Sequence, residues 1–245
     1  MSRPALSPAK RELLARRLRG EPGDPGAPIP RRAASGPAPL SPTQERIWFV
    51  ELLLPGRPLH NISSAVRLRG PLRPAALAEA LAAVVRRHEA LRTGVRSIGG
   101  EPRQVVTGAV PLEVPLEPVA GEEELAARIA GEAGRPFDLA SPPLLRARLW
   151  RLGDGDHVLA LVVHHLVADG WSLGVLFGDL RTAYERLLAG GGPDLAPPAL
   201  QYADYAEWQR GRVEAGELDV SLGWWREALR GAPEVLDLPR DGDRR

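Results

Sequence analysis

With 245 residues, 44% of them hydrophobic and 26% charged, the chain has the composition of one large folded domain or two small ones, and disorder throughout is excluded. Lys and Arg total 32 against 31 for Asp and Glu, so no whole-chain field draws the protein to nucleic acid or to an anionic membrane. The absence of Cys removes disulfides, thiolate nucleophiles and Cys-ligated metal centres, which leaves nucleophilic or acid–base chemistry to other side chains. Met1 to Arg19 has no apolar signal core, and no run of about 18 apolar residues occurs anywhere. The expected location is cytoplasmic, with no membrane and no nucleic-acid partner.

Ser7-Pro8 followed by Ala9 to Arg19 reads as a short helix, and Gly20 to Pro39, with six prolines among glycines, reads as a linker. The folded unit is expected to begin near Leu40. Ser41-Pro42-Thr43-Gln44 is a capping box with Pro at the first helical position, opening a helix that carries Ile47, Trp48 and Leu52. His60 to Leu68 alternates as a half-buried strand does, and Arg73 to Ala90 returns to helical spacing through Leu77, Leu81, Val84 and Val85. Thr93 to Ile98 and Arg103 to Val106 flank Gly99-Gly100 as a hairpin would, and Glu122 to Glu132 reads as a helix. Leu144 to Leu152 and His157 to His164 flank Gly153-Asp154-Gly155-Asp156 as a second hairpin. A long amphipathic helix follows, with Ser172 as the expected cap and Leu173, Leu176, Phe177, Leu180, Tyr184 and Leu187 at three- and four-residue spacing. After the Gly/Pro-rich stretch Gly190 to Pro198 come two more helical segments, Leu200 to Glu214 and Leu222 to Leu229. Strand pairs mixed with long helices predict an α/β sandwich, a mixed sheet covered by helices.

The sharpest chemical feature is His164-His165-Leu166-Val167-Ala168-Asp169-Gly170, placed where an apolar strand ends and a capped helix begins. Four fixed positions in seven arise by chance in a chain this long with a probability on the order of 10⁻³. A neutral imidazole can take a proton near pH 7, which a lysine or carboxylate does only after a large pKa shift. Adjacent residues at a strand end point to opposite faces, so at most one of the two histidines faces a given cleft. Asp169 can orient a ring, bind a cation, or pair with an arginine that fixes the loop, and Gly170 suits a tight turn. The competing reading makes the histidines satisfied polar residues at a sheet edge and Asp169 a turn residue. A metal centre needs a third ligand from His60, His88, His157 or scattered carboxylates, and no metal motif of known spacing occurs, so none is expected. Nor does the chain contain the Gly-x-Ser-x-Gly elbow of a serine hydrolase.

Several segments in order resemble the N-terminal half of the condensation domain of nonribosomal peptide synthetases, in the chloramphenicol acetyltransferase-like superfamily. Leu40 to Phe49, with Ser41 and Gln44, resembles that family's opening motif, and Arg87-His88-Glu89-Ala90-Leu91-Arg92-Thr93 its second. His164 to Gly170 with Trp171-Ser172 is similar to its active-site signature, and Tyr202 to Gln209 to the motif that follows. Pro136 to Leu139 and Pro143 to Ala147 fit the approach to the active-site hairpin. The resemblance covers roughly Leu40 to Pro239.

What the resemblance implies is a chloramphenicol acetyltransferase-like α/β sandwich that joins two carrier-tethered acyl groups through an amide bond. His165 is then the catalytic histidine, base or orienting partner of the attacking amine, and His164 a structural one. Asp169 is a loop-fixing residue expected to pair with Arg92, with Arg87 in reserve, and Gly170 and Trp171 complete the signature. Upstream and downstream peptidyl carrier domains are the implied partners. They supply phosphopantetheine as the substrate arm, and no cofactor is expected on the chain itself. Val95 departs from the family, where an aromatic is common. The expected organisation is 1–39 as N-terminal helix and linker, 40–192 as the N-terminal lobe with the active-site motif, and 193–245 as crossover helices toward a C-terminal lobe that the sequence lacks. Without that lobe His165 would face water, and the chain alone is expected to be inactive or very weak. Two other classes remain open: a single-lobe acyltransferase that completes its cleft by self-association, and a non-catalytic module that docks carriers.

Overall fold

The computed structural model describes residues 28–233 and residue 235. The helix expected at Ser7 to Arg19 lies outside these residues. Contacts with the folded body begin ahead of Leu40: the Arg31 guanidinium donates to the Ala199 carbonyl at 2.8 Å, and the Arg32 amide donates to Asp204 at 3.1 Å.

Two sheets organise the chain. In the smaller, β1 (Ala38–Pro39), β4 (Glu101–Val106) and β3 (Thr93–Ile98) lie side by side and antiparallel. The β3–β4 hairpin turns through Gly99 and Gly100, whose φ values of 64° and 85° explain why two glycines stand there. The larger sheet has the order β2 (Asn61–Arg69), β7 (Asp156–His164), β6 (Leu145–Gly153), β5 (Leu116–Pro118). Its first three strands are antiparallel and β5 runs parallel to β6, which makes the sheet mixed as predicted. At two and three residues, β1 and β5 are too short to show alternation, and the sequence carried no sign of them.

β7 is the centre of the fold and is buried on both faces, hence its nearly continuous apolar run. Leu159, Leu161 and Val163 face α2 (Pro74–Arg87) and α4 (Gly170–Leu188), meeting Leu77, Leu81, Val84, Leu176 and Leu180. Val158 and Ala160 face the other way, with Trp150, onto Leu125 of α3 (Glu122–Ala133). Each leucine fully removed from water here contributes about 2 kcal/mol, before the cost of ordering it. A third cluster positions the site: Ile47 of α1 (Pro42–Leu53), Val95, Leu144, Leu40 and Leu166 pack together and pin the chain immediately after β7. The buried Val95 belongs to this cluster.

Two boundaries differ from expectation. The helix predicted through Ala90 stops at Arg87, because His88 adopts an extended conformation (φ −99°, ψ 102°) before a 3₁₀ turn over Glu89–Arg92. Among the described residues, the last two helices are α5 (Tyr202–Glu214) and α6 (Asp219–Ala228). On α6, Trp224 and Trp225 are exposed and stack edge to face at 4.8 Å, while Trp208 of α5 is half-buried under the Arg212 guanidinium. Among the described residues, no helix is long and apolar enough to cross a membrane.

Candidate active site

The two histidines leave β7 in opposite environments, as strand geometry requires. His164 retains 3% of its accessible surface, whereas His165 is exposed at the rim. The turn that follows is stitched by main-chain bonds: His165 donates its amide to the His60 carbonyl at 2.8 Å, and Val167 donates to the His164 carbonyl at 3.0 Å. Its side-chain bonds settle the ring chemistry. His165 Nδ1 lies 2.8 Å from the Ala168 carbonyl, an obligate acceptor, so Nδ1 carries the hydrogen. The Nε2 lone pair is left free at the surface, the arrangement a base needs.

His164 is the reverse. Its Nδ1 accepts the Leu166 amide at 3.1 Å, so in the neutral ring the hydrogen sits on Nε2, which faces Glu51 Oε1 at a longer 3.4 Å. The same carboxylate oxygen lies 2.6 Å from His60 Nδ1. Burial pushes the His164 imidazole below its ordinary pKa, against the opposing pull of Glu51. Phe137 meets the ring edge-on at 5.9 Å and is itself covered by the Arg146 guanidinium at 3.8 Å.

Glu51, His60 and His164 are the one group of His and acidic residues, among those described, close enough to hold a metal ion. Their chemistry does not fit one. A metal on His164 Nε2 moves the ring hydrogen to Nδ1, where it collides with the Leu166 N–H, whereas ligating histidines donate from the second nitrogen.

Asp169 has a role different from the one expected. It, not Ser172, is the N-cap of α4: Asp169 Oδ1 accepts the Ser172 amide at 2.8 Å and the Ser172 hydroxyl at 2.6 Å, while Ser172 Oγ accepts the Asp169 amide at 3.1 Å. Those donors hold the carboxyl below the usual carboxylate range. The structure does not bring Asp169 to either arginine. Arg92 donates to the Thr107 carbonyl at 2.7 Å and approaches Glu89, and Arg87 pairs with Asp179 at 3.0 Å. Asp179 also holds His88 Nε2 at 2.6 Å, so the second motif ties α2 to α4, with His88, Ala90 and Leu91 lining the same cavity as Val167 and Ala168 of the turn. The carboxylate and its nearest hydroxyl are three residues apart, and a local cap forms without the entropy of a long-range pairing.

Ser41 and Gln44 are buried and close their capping box reciprocally, at 3.2 and 3.0 Å. Gln44 goes further: its Nε2 donates to the Leu166 carbonyl at 3.1 Å and to Gln104 at 3.3 Å, so α1 holds the histidine turn from behind. Ser41 shares a hydrogen bond with the Tyr202 hydroxyl at 3.0 Å, joining α1 to α5. Gly170 opens α4, and Trp171 after it stands 85% exposed. Beside the turn a cavity of about 220 Å³ is lined by Val167, Ala168, Trp171, Leu176, Gln201 and Tyr202. A larger recess, walled by Arg32, Trp208 and Arg212, contains neither histidine of the motif.

Sequence reasoning missed Glu51 and Gln104. The signal for Glu51 was present: it stands seven residues after Gln44, two turns along the same helix face. Gln104, on a short strand, offered none.

A family model for the Condensation domain matches residues 34–245. The chain is 45% identical over 249 residues to phosphinothricin tripeptide synthetase PhsC of Streptomyces viridochromogenes, covering 98% of this chain and 23% of that protein. It is 44% identical over 223 residues to the isonitrile lipopeptide synthase of Mycobacterium tuberculosis, covering 86% of this chain and 9% of the relative. The fold superimposes on the X-domain in its complex with OxyB from teicoplanin biosynthesis with a TM-score of 0.80 at 35% identity, covering 91% of this chain and 50% of that one. With the first condensation domain of the CDA synthetase the TM-score is 0.72 at 21% identity, and 82% and 52% are covered. The chain thus spans about a quarter or less of these two synthetases and about half of these two solved chains. A mixed sheet with the paired histidines at the end of its central strand, and a family match over most of the length, place this chain in the condensation-domain family of nonribosomal peptide synthetases.

Proposed function

We propose that this chain contributes the histidine-bearing lobe to amide-bond formation between two carrier-bound thioesters. The observation that carries the reading is the Nδ1–H bond from His165 to the Ala168 carbonyl, which in the neutral ring puts the lone pair on Nε2, exposed at the β7–α4 turn. The α-amine of an acceptor aminoacyl thioester attacks the donor thioester carbonyl. The N–C bond forms as the C–S bond breaks. His165 Nε2 orients the amine or takes its proton, which ends on the departing phosphopantetheine thiolate. Upstream and downstream peptidyl carrier domains bring both arms, so the chain holds no cofactor of its own, and the reaction is cytoplasmic. Residues 40–192 form the lobe and 193–245 the crossover toward a second lobe that walls the other side of the cleft.

In this reading Asp169, Gly170, Ser41, Gln44 and His164 shape the turn and do not touch substrate. Trp171 and the apolar cavity beside it line the approach. Arg92 and Arg87 brace the α2 end of the fold.

Single-turnover transfer between loaded carriers, followed by intact-protein mass spectrometry in the synthetase module that contains this chain, tests the proposal. His165→Ala is expected to lower the rate by about 10²–10⁴-fold. Its exposed ring makes one side-chain bond, so the melting temperature should stay within a few degrees. Wild-type transfer by a folded His165→Ala module refutes the reading.

A second reading, a docking platform without chemistry, is favoured by the similarity to the X-domain seen in complex with OxyB. It requires that His165→Ala leave the protein's whole function intact.

A further inference from the structure

We infer that Glu51 is a positioning residue that keeps His165 in its Nδ1–H tautomer by immobilising its neighbours, accepting the Nε2–H of His164 and the Nδ1–H of His60 on one carboxylate oxygen. Three elements meet there: the last turn of α1, the residue preceding β2 and the end of β7.

The argument runs through the hydrogens. A carboxylate oxygen only accepts, so both ring nitrogens facing it donate. His164 Nδ1 is already committed to the Leu166 amide, which leaves Nε2–H as its only neutral form. His60 brings a second tether, since its main-chain carbonyl accepts the His165 amide at 2.8 Å. Holding the His60 ring therefore also holds the strand start that anchors His165. Gln44, on the same face of α1 two turns earlier, takes the Leu166 carbonyl. The helix thus grips the turn on both sides of His165: through the His164 ring on one, through the Leu166 carbonyl on the other. With its neighbours immobile, His165 keeps its Nδ1–H bond to Ala168 and keeps Nε2 bare. A solvated imidazole without that support exchanges between both tautomers. Glu51 touches no reacting atom in this scheme and acts only through other residues. Its effect on transfer rests on the proposed function; the tautomer lock does not.

Two-bond proton–nitrogen NMR spectra of the full chain, labelled with ¹⁵N-histidine and assigned by single His→Gln variants, provide the test. The wild-type protein at pH 7.5 should show His164 with its hydrogen on Nε2 and His165 with its hydrogen on Nδ1. Glu51→Ala should convert His165 to a tautomer mixture, and the isosteric Glu51→Gln, which keeps an acceptor oxygen, should restore the wild-type pattern. A wild-type His164 protonated on Nδ1, or a Glu51→Ala spectrum with His165 unchanged, overturns the inference. The wild-type spectrum suffices for refutation even if Glu51→Ala does not fold. In the synthetase module, Glu51→Ala should lower kcat by up to about 100-fold with KM unchanged, and Glu51→Gln should recover most of the loss. If the tautomers behave as stated while His165→Ala transfers at the wild-type rate, the proposed function fails and the lock stands.

Discussion

Replacing Gln44 by Glu exchanges one amide nitrogen for an oxygen at constant volume, on a side chain that is buried. In the native protein the amide nitrogen donates to the Leu166 carbonyl at 3.1 Å and to Gln104 Oε1 at 3.3 Å, while the amide oxygen accepts the Ser41 amide. The variant keeps the last of these. It loses the two donated bonds, worth about 1 kcal/mol each, and leaves a buried carboxylate oxygen facing two acceptors, a further cost of about 1–3 kcal/mol. The sum is about 3–5 kcal/mol at pH 7.5, a large share of the 5–15 kcal/mol roughly typical of a domain. The sign of the pH dependence follows. Burial and the facing oxygens raise the folded-state pKa of the new carboxyl above its unfolded value of about 4.3. The stability contributed by its neutral form is therefore complete below about pH 4 and is lost as pH rises through the folded value. When protonated, the acid donates one bond, so the penalty should fall by about half at pH 4. Urea unfolding of wild type, Gln44→Glu and Gln44→Met at pH 4 and 7.5 reads this directly, the Met variant giving a loss that does not change with pH. A penalty under about 1 kcal/mol at pH 7.5, or one equal at both pH values, refutes the assigned bonding of Gln44.

Three other outcomes are expected. Asp169→Ala should cost about 1 kcal/mol of unfolding free energy and Asp169→Asn a few tenths, the pattern of an N-cap; a loss of 3 kcal/mol or more in both would indicate a buried ion pair instead. Because the Asp169 pKa is lowered in the fold, its contribution is present above about pH 4 and disappears as pH falls through the folded value, which a denaturation series from pH 6 to 2.5 would show. His164 also has a lowered folded pKa, so the unfolded chain binds the extra proton first and stability should decline as pH falls below about 6.5. His164→Gln should flatten that slope, and an unchanged slope would assign it elsewhere. Gly94→Ala places a Cβ 3.0 Å from the Ala140 carbonyl oxygen and 3.1 Å from Pro142 Cδ, and should cost about 1–3 kcal/mol in chemical denaturation; a stabilised variant would contradict that close approach.

Most of the regular elements were legible because their periods are strong. Leu77, Leu81 and Val84 mark one helix stripe; Ile62, Val66 and Leu68 mark one strand face; and the Gly-Asp-Gly-Asp stretch separates β6 from β7. The cap of α4 was misplaced by three residues because Asp169 and Ser172 are both good capping residues, and only the direction of the hydrogen bonds separates them. The α2 boundary slipped for a similar reason. Glu89 to Arg92 has helical composition, yet the chain turns there to enter β3.

The candidate site divides along the same line. Local sequence determined that two histidines stand at the end of an apolar strand, that one faces in and the other out, and that a capped helix starts a few residues later. These follow from a two-residue period and from short-range hydrogen bonding, which neighbours along the chain decide between themselves. Which nitrogen of each ring holds its hydrogen depended on residues brought together from α1, the start of β2 and the end of β7, 100 or more positions apart in the case of Glu51 and His164. Arg87 likewise found its partner far along the chain, at Asp179 of α4, whereas Arg92 bonds the nearer Glu89 and Thr107. Long-range pairing of side chains is set by where packing leaves their acceptors, and Asp169 turned to the hydroxyl three residues away while Asp179 received the arginine.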